Sequence, residues 1–77
     1  MTFKFARITA PADTYMWDSL SYPGIELTDK VIAWSRAHGI WLNVEYEYYD
    51  EPKGRRVEVR LLFKQDVDAI FFALSYE

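Results

Sequence analysis

Two stretches in the second half of the chain alternate apolar and polar residues at every position. Leu42, Val44, Tyr46 and Tyr48 interleave with Asn43, Glu45, Glu47 and Tyr49, and Val57, Val59, Leu61 and Phe63 interleave with Arg56, Glu58, Arg60 and Leu62. A strand points successive side chains to opposite faces, so this pattern predicts two half-buried strands. Asp50-Glu51-Pro52-Lys53-Gly54 between them supplies the turn of a hairpin. Same-face pairing leaves two registers. One sets Glu45 opposite Arg60 and Tyr49 opposite Arg56, and the other sets Glu47 opposite Arg56. In both, Leu42, Val44, Tyr46, Val57, Val59 and Leu61 face the core. The opposite face gathers Asn43, Glu45, Glu47, Tyr49, Arg56, Glu58, Arg60 and Leu62, with Trp41 near its edge.

Helical spacing appears on either side of the hairpin. Before it, Leu27, Val31 and Trp34 recur at helical intervals, and Ile32 and Ala37 widen the apolar face. Thr28 is placed to cap this helix, Asp29 lies in its first turn, and Gly39 sits where a left-handed C-terminal residue is wanted. After the hairpin, Gln65 or Asp66 opens a second helix with Asp68 in its first turn. Val67, Ile70, Phe71 and Leu74 mark it by their i, i+3, i+4, i+7 spacing. Phe72, Leu74 and Tyr76 also alternate, so a shorter helix followed by a strand from Phe72 competes for this tail.

The first third is less regular. Thr2 to Thr9 reads as a strand, with Phe3, Phe5 and Arg7 on one side and Lys4, Ala6 and Ile8 on the other. Ala10-Pro11-Ala12-Asp13 ends it. Between Asp13 and Leu20 a short helix is expected, with Pro11 suited to its start and Tyr15, Met16, Trp17 and Leu20 as its apolar stripe. These aromatics, with Tyr22, either plug the core or form an exposed contact. Ser21-Tyr22-Pro23-Gly24 is a turn. The order β, α, β, β, α, with an optional last β, resembles a ferredoxin-like split βαβ arrangement. The expectation is one small α+β domain over 1–77, an antiparallel sheet with helices on one face.

Size and composition narrow the classes. The chain has 77 residues, 12 acidic and 9 basic, for a net charge of −3, and no cysteine. One core barely closes at this length. Disulfide scaffolds and thiolate zinc sites are excluded by the missing cysteine. The 14 aromatics (3 Trp, 6 Tyr, 5 Phe) argue against disorder and are more than one small core readily hides. The surplus points to an exposed aromatic surface or a homodimer contact. No apolar run is long enough to cross a bilayer, and Met1-Thr2-Phe3-Lys4-Phe5-Ala6-Arg7 lacks the apolar stretch of a signal peptide.

Little in the sequence suggests catalysis. A single histidine rules out multi-histidine metal sites, and Ser35 one turn from His38 lacks an orienting acid and an oxyanion hole. Gly24, Gly39 and Gly54 are isolated turn glycines, not a phosphate loop. Asp50-Glu51 and Asp66/Asp68 fall where a turn and a helix start favour acids, and neither supplies the ligands of a calcium loop. No enzyme, cofactor or metal is expected. Lys53-Gly54-Arg55-Arg56-Val57-Glu58-Val59-Arg60 opens like the third strand of an RNA-recognition domain. It then places Arg55, Val57 and Arg60 where stacking aromatics belong, so a nucleic-acid-binding module is the alternative rather than the first reading.

The outer hairpin face carries the functional expectation. Cross-strand Glu/Arg pairs are ordinary on an open sheet, but Tyr, Trp and Arg together have the composition of binding hot spots. The expected partner-binding residues are Trp41, Glu45, Glu47, Tyr49, Arg56 and Arg60. The ending Phe63-Lys64-Gln65-Asp66-Val67-Asp68-Ala69-Ile70-Phe71-Phe72-Ala73-Leu74-Ser75-Tyr76 resembles the C-terminal signature of small phage-encoded proteins of unknown function. Those have an aromatic strand, an acidic-Asp-Ala turn and a Phe-x-Leu-x-aromatic close. The Trp-containing helix ahead of a hairpin is similar too. The resemblance implies a phage protein in the bacterial cytoplasm that binds and blocks a host protein or complex. A small structural or self-assembling phage component is a further alternative.

Overall fold

The computed structural model describes residues 4–17 and 24–76. Strand β1 (Ala6–Thr9) is followed by β2 (Tyr15–Trp17), β3 (Ile25–Leu27), helix α1 (Asp29–His38), β4 (Leu42–Glu51), β5 (Gly54–Phe63) and helix α2 (Asp66–Ser75). β5 lies between β1 and β4, antiparallel to both, in a three-stranded sheet; β2 and β3 form a separate antiparallel pair.

The hairpin takes the first of the two registers. Glu45 pairs with Arg60, Tyr49 with Arg56, and Glu51 with Gly54, so the turn is only Pro52-Lys53. Gly54 has φ 133, a backbone state that only glycine enters without strain, which accounts for its place after so tight a turn. All the expected core positions face inward. Leu42, Val59, Leu61 and Phe63 are buried, and Val44, Tyr46 and Val57 pack against them. β1 adds Ala6 and Ile8 to this layer. Residues 1–3, including Phe3, lie outside the described residues.

Helix α1 forms as its periodicity and punctuation predict, with two differences. Thr28 adopts the extended N-cap conformation, but its side chain does not cap. Its hydroxyl donates instead to the Asp13 carbonyl at 2.8 Å, while Lys30 reaches the Asp13 carboxylate at 2.7 Å. The helix start is thereby tied to the Pro11–Thr14 turn. Ala37 is exposed, and the inward face consists of buried Val31 with half-buried Trp34. Gly39 closes the helix at φ 64, ψ 31, and the Ile40 amide bonds the Ser35 carbonyl at 3.1 Å.

The expected short helix after Asp13 is a strand. Pro11 begins one tight turn, with the Thr14 amide on the Pro11 carbonyl at 3.0 Å, and the chain then extends. Thr14 is completely buried, and its hydroxyl also donates to Pro11 O. Its carbonyl accepts the Thr28 amide at 3.0 Å, which sets Tyr15 opposite Leu27. Three residues with two aromatics fit a strand better than a one-turn helix, because an isolated turn fixes many dihedrals for one hydrogen bond. Tyr15 packs against the core, whereas Met16 and Trp17 are exposed; Leu20 and Tyr22 lie outside the described residues.

The competing strand from Phe72 does not form. Helix α2 runs on to Ser75 because Phe72 and Tyr76, one turn apart, stack on each other at 4.7 Å and enclose the core with Trp34 and Phe63. That choice has a consequence for the stripe that marks the helix. Ala69 and Phe72 are the buried residues of α2, and Val67, Ile70, Phe71 and Leu74 point to solvent. The sheet therefore has no strand after α2 among the described residues.

Candidate functional site

Both helices bury their apolar residues on one side of the sheet, in the cluster built around Leu61, Phe63, Val31 and Phe72. Among the described residues, no helix or strand lies over the other side. On it the strand pairing arranges cross-strand rows: Arg7 and Asn43 flank Leu62, Thr9 and Glu45 flank Arg60, Glu47 faces Glu58, and Tyr49 faces Arg56.

Glu47 directly opposite Glu58 is a like-charge pair that destabilises a hairpin on its own. Arg60 resolves it. Its guanidinium donates to Glu45 at 3.0 Å through Nε and to Glu47 through Nη2, and lies 3.4 Å from Glu58 through Nη1. Held by three carboxylates, the Arg60 side chain is only 18% exposed in the middle of an open face. Arg7 closes the far side of the network with a 2.7 Å bond from Nε to the same Glu45 oxygen. At the hairpin tip Arg56 bonds Glu51 at 2.7 Å, approaches Glu58 at 3.8 Å, and lies 4.7 Å over the Tyr49 ring.

Protonation follows these contacts. The Arg60 guanidinium, bonded to Glu45 first and then to Tyr49 and Glu47, is held further above its already high range. The Tyr49 hydroxyl donates to Glu47 at 2.7 Å; this bond and Arg60 lower the Glu47 pKa, and the same bond raises that of the tyrosine against the opposing pull of Arg60. On the opposite side of the molecule Lys30 likewise lowers Asp13. Both displaced carboxylates move down, away from the range in which a general acid or base works near neutral pH.

The remaining site residue, Trp41, stands at the other end of the same face. It stacks on Phe5 with ring centroids 5.4 Å apart and an interplanar angle of 24°, and Lys64 lies 5.6 Å above its ring. Trp41 to Tyr49 is eight residues of extended chain, about 27 Å. The six expected residues thus share one surface as an aromatic end, a charged centre and a mixed tip. Glu45, Glu47, Tyr49 and Arg60 are joined directly, Arg56 joins them through the Tyr49 ring and Glu58, and Trp41 is not in the network.

Sequence reasoning missed Arg7, Phe5 and Lys64 as members of this surface, and it placed Glu58 on the face without counting it among the partner-binding residues. The signal for the first two was the shared side of Phe5 and Arg7 in the first strand, but β1 pairing with β5 rather than β4 has no local signature. The Ser35 hydroxyl is spent on the Ile40 carbonyl, and the His38 ring rests against Trp34 at 4.6 Å and Phe71 at 5.1 Å. Among the described residues no group of three His, Cys, Asp or Glu side chains is placed to hold a metal ion. No family model matches the chain, and no match is found among curated proteins or solved structures.

Proposed function

We propose that this chain is a non-enzymatic binding protein that works by occupying the surface of another protein through the outer face of its sheet. In the setting the phage resemblance implies, it is an inhibitor of a host protein or complex in the bacterial cytoplasm. The observation that carries the reading is the bare sheet face itself. Trp41, exposed and stacked on half-buried Phe5, sits at one end of a charge network whose members already hold one another in place. Large aromatic contacts beside fixed Arg and Glu groups match the make-up of transient protein interfaces. Pre-paired side chains also lose less freedom on docking than free ones.

Two further points bear on the alternatives. The order β1-β5-β4, with β5 antiparallel to its neighbours, resembles the split βαβ part of a ferredoxin-like sheet, with no last strand among the described residues. That keeps a nucleic-acid-binding module in view. Its electrostatics are poor, however, because Arg55 is paired with Asp50, Arg56 with Glu51, and Arg60 with three glutamates. Phosphate binding needs cations whose charge is not already met by carboxylates.

The test is capture from bacterial lysate with immobilised wild-type protein, followed by titration of the purified partner. Trp41→Ala, Tyr49→Ala and Arg56→Glu should each weaken binding at least about fivefold with the fold intact. Wild-type affinity in all three would remove the sheet face as the site. Tight, salt-dependent binding of oligonucleotides would replace the reading with the nucleic-acid one.

A further inference from the structure

Helix α2 is apolar on every side. Between Asp66 and Asp68 at its start and Ser75 at its end stand Val67, Ala69, Ile70, Phe71, Phe72, Ala73 and Leu74. A helix of that composition is normally buried all round. Here, among the described residues, only the Ala69–Phe72 side is buried. Val67 is 62% exposed, Ile70 60%, Phe71 41% and Leu74 82%, and they form one continuous stripe along the helix. With 10 residues the helix is about half the length a bilayer requires.

We infer that a second copy of this chain covers the stripe, with two α2 helices packed antiparallel about a two-fold axis near Ile70 and Phe71. Three arguments select this occupant. The stripe carries no charge, hydroxyl or amide, so nothing on it would discriminate a foreign partner. An uncharged apolar surface is characteristic of homodimer interfaces, in contrast to the polar make-up of transient ones. A face on the order of 500 Å² per copy, doubled by pairing, reaches the roughly 1,000 Å² at which a specific interface begins.

Charge then fixes the orientation. The start of the helix is acidic through Asp66 and Asp68, while at its end the Lys30 over the Tyr76 ring is already paired with Asp13 at 2.7 Å. An antiparallel pair keeps the two acidic starts apart and opposes the helix dipoles favourably. A parallel pair would set the four aspartates side by side. The ring of His38, 5.1 Å from Phe71, lies at the rim of the same surface.

The experiment is sedimentation velocity on the full chain from low micromolar to several hundred micromolar, with far-UV circular dichroism on each variant. Wild type should pass from monomer to dimer and stop there. Leu74→Glu and Ile70→Glu, both at positions exposed in the single copy, should keep the wild-type spectrum and raise the dimer dissociation constant at least about 30-fold. Trp41→Ala, on the sheet face, should dimerise as wild type does, so this result is read independently of partner binding. The chain has no cysteine. Ile70→Cys should therefore oxidise to a covalent dimer faster than Lys53→Cys at the hairpin tip. A wild type that stays monomeric throughout, a dimer that survives both glutamate variants, or open-ended assembly would each overturn the inference.

Discussion

The two uncovered surfaces of this domain solve the problem of exposure in opposite ways. The outer sheet face is charged and aromatic, and its charges are met within the face: Arg60 serves Glu45, Glu47 and Glu58, and Arg7 serves Glu45 again. The outer face of α2 is wholly apolar, and among the described residues only Trp34 and His38 of α1 touch its edge, at Phe71. The first surface is stable in water as it stands, which suits a site that is alternately free and occupied. The second leaves a few hundred Å² of apolar area in water, more than scattered exposed residues would give, and calls for permanent cover.

The largest effect that sharpens this contrast lies within α2. Phe72→Ala should cost about 3–5 kcal/mol in urea unfolding, because Phe72 fills the space among Phe63, Trp34 and Tyr76. Ile70→Ala, two residues away, should change monomer stability by less than about 0.5 kcal/mol. Both are best measured in the Leu74→Glu background, where association does not contribute. Equal costs would mean that the helix is rotated from the orientation described.

A middle-sized effect is expected on the sheet. Arg60→Met should lower the urea midpoint more than Arg7→Met or Arg56→Met, since only Arg60 separates Glu47 from Glu58. Adding Glu58→Gln should restore part of the loss, giving a non-additive double-mutant cycle. Strict additivity would show that the network does not act as a unit.

The smallest effect concerns acid. The folded-state pKa values of Glu47 and Asp13 lie below their unfolded values, through Tyr49 and Arg60 in one case and Lys30 in the other. Each therefore adds stability at neutral pH, which is lost as pH falls through the folded pKa, from about pH 4 downward. Glu47→Gln should flatten that acid limb modestly, as expected for solvent-exposed pairs. An unchanged limb would place the pKa-lowering contacts elsewhere.

Much of the architecture was legible because it is written in local periodicity. The hairpin, its inward set Leu42, Val44, Tyr46, Val57, Val59 and Leu61, and the helix between Thr28 and Gly39 all follow from spacing and turn chemistry. One misreading and one choice left open have a common origin. Tyr15–Trp17 pairs with Ile25–Leu27, and Phe72 rather than Leu74 seats in the core, through contacts distant in sequence. In α2 the apolar spacing could not say which side is inward, because every side is apolar. The six site residues were legible as one face from parity alone. Their network was not, since it depends on the register and on Arg7 arriving from β1.

The account's central claim, that one surface is complete in itself and the other is not, is tested most directly by a dilution series of amide nitrogen–proton correlation spectra on the chain alone. Concentration-dependent shifts should be confined to α2 and its neighbours Trp34 and His38, with Glu45, Glu47, Arg56 and Arg60 unmoved. Shifts centred on the sheet face, or none anywhere up to millimolar concentration, would contradict it.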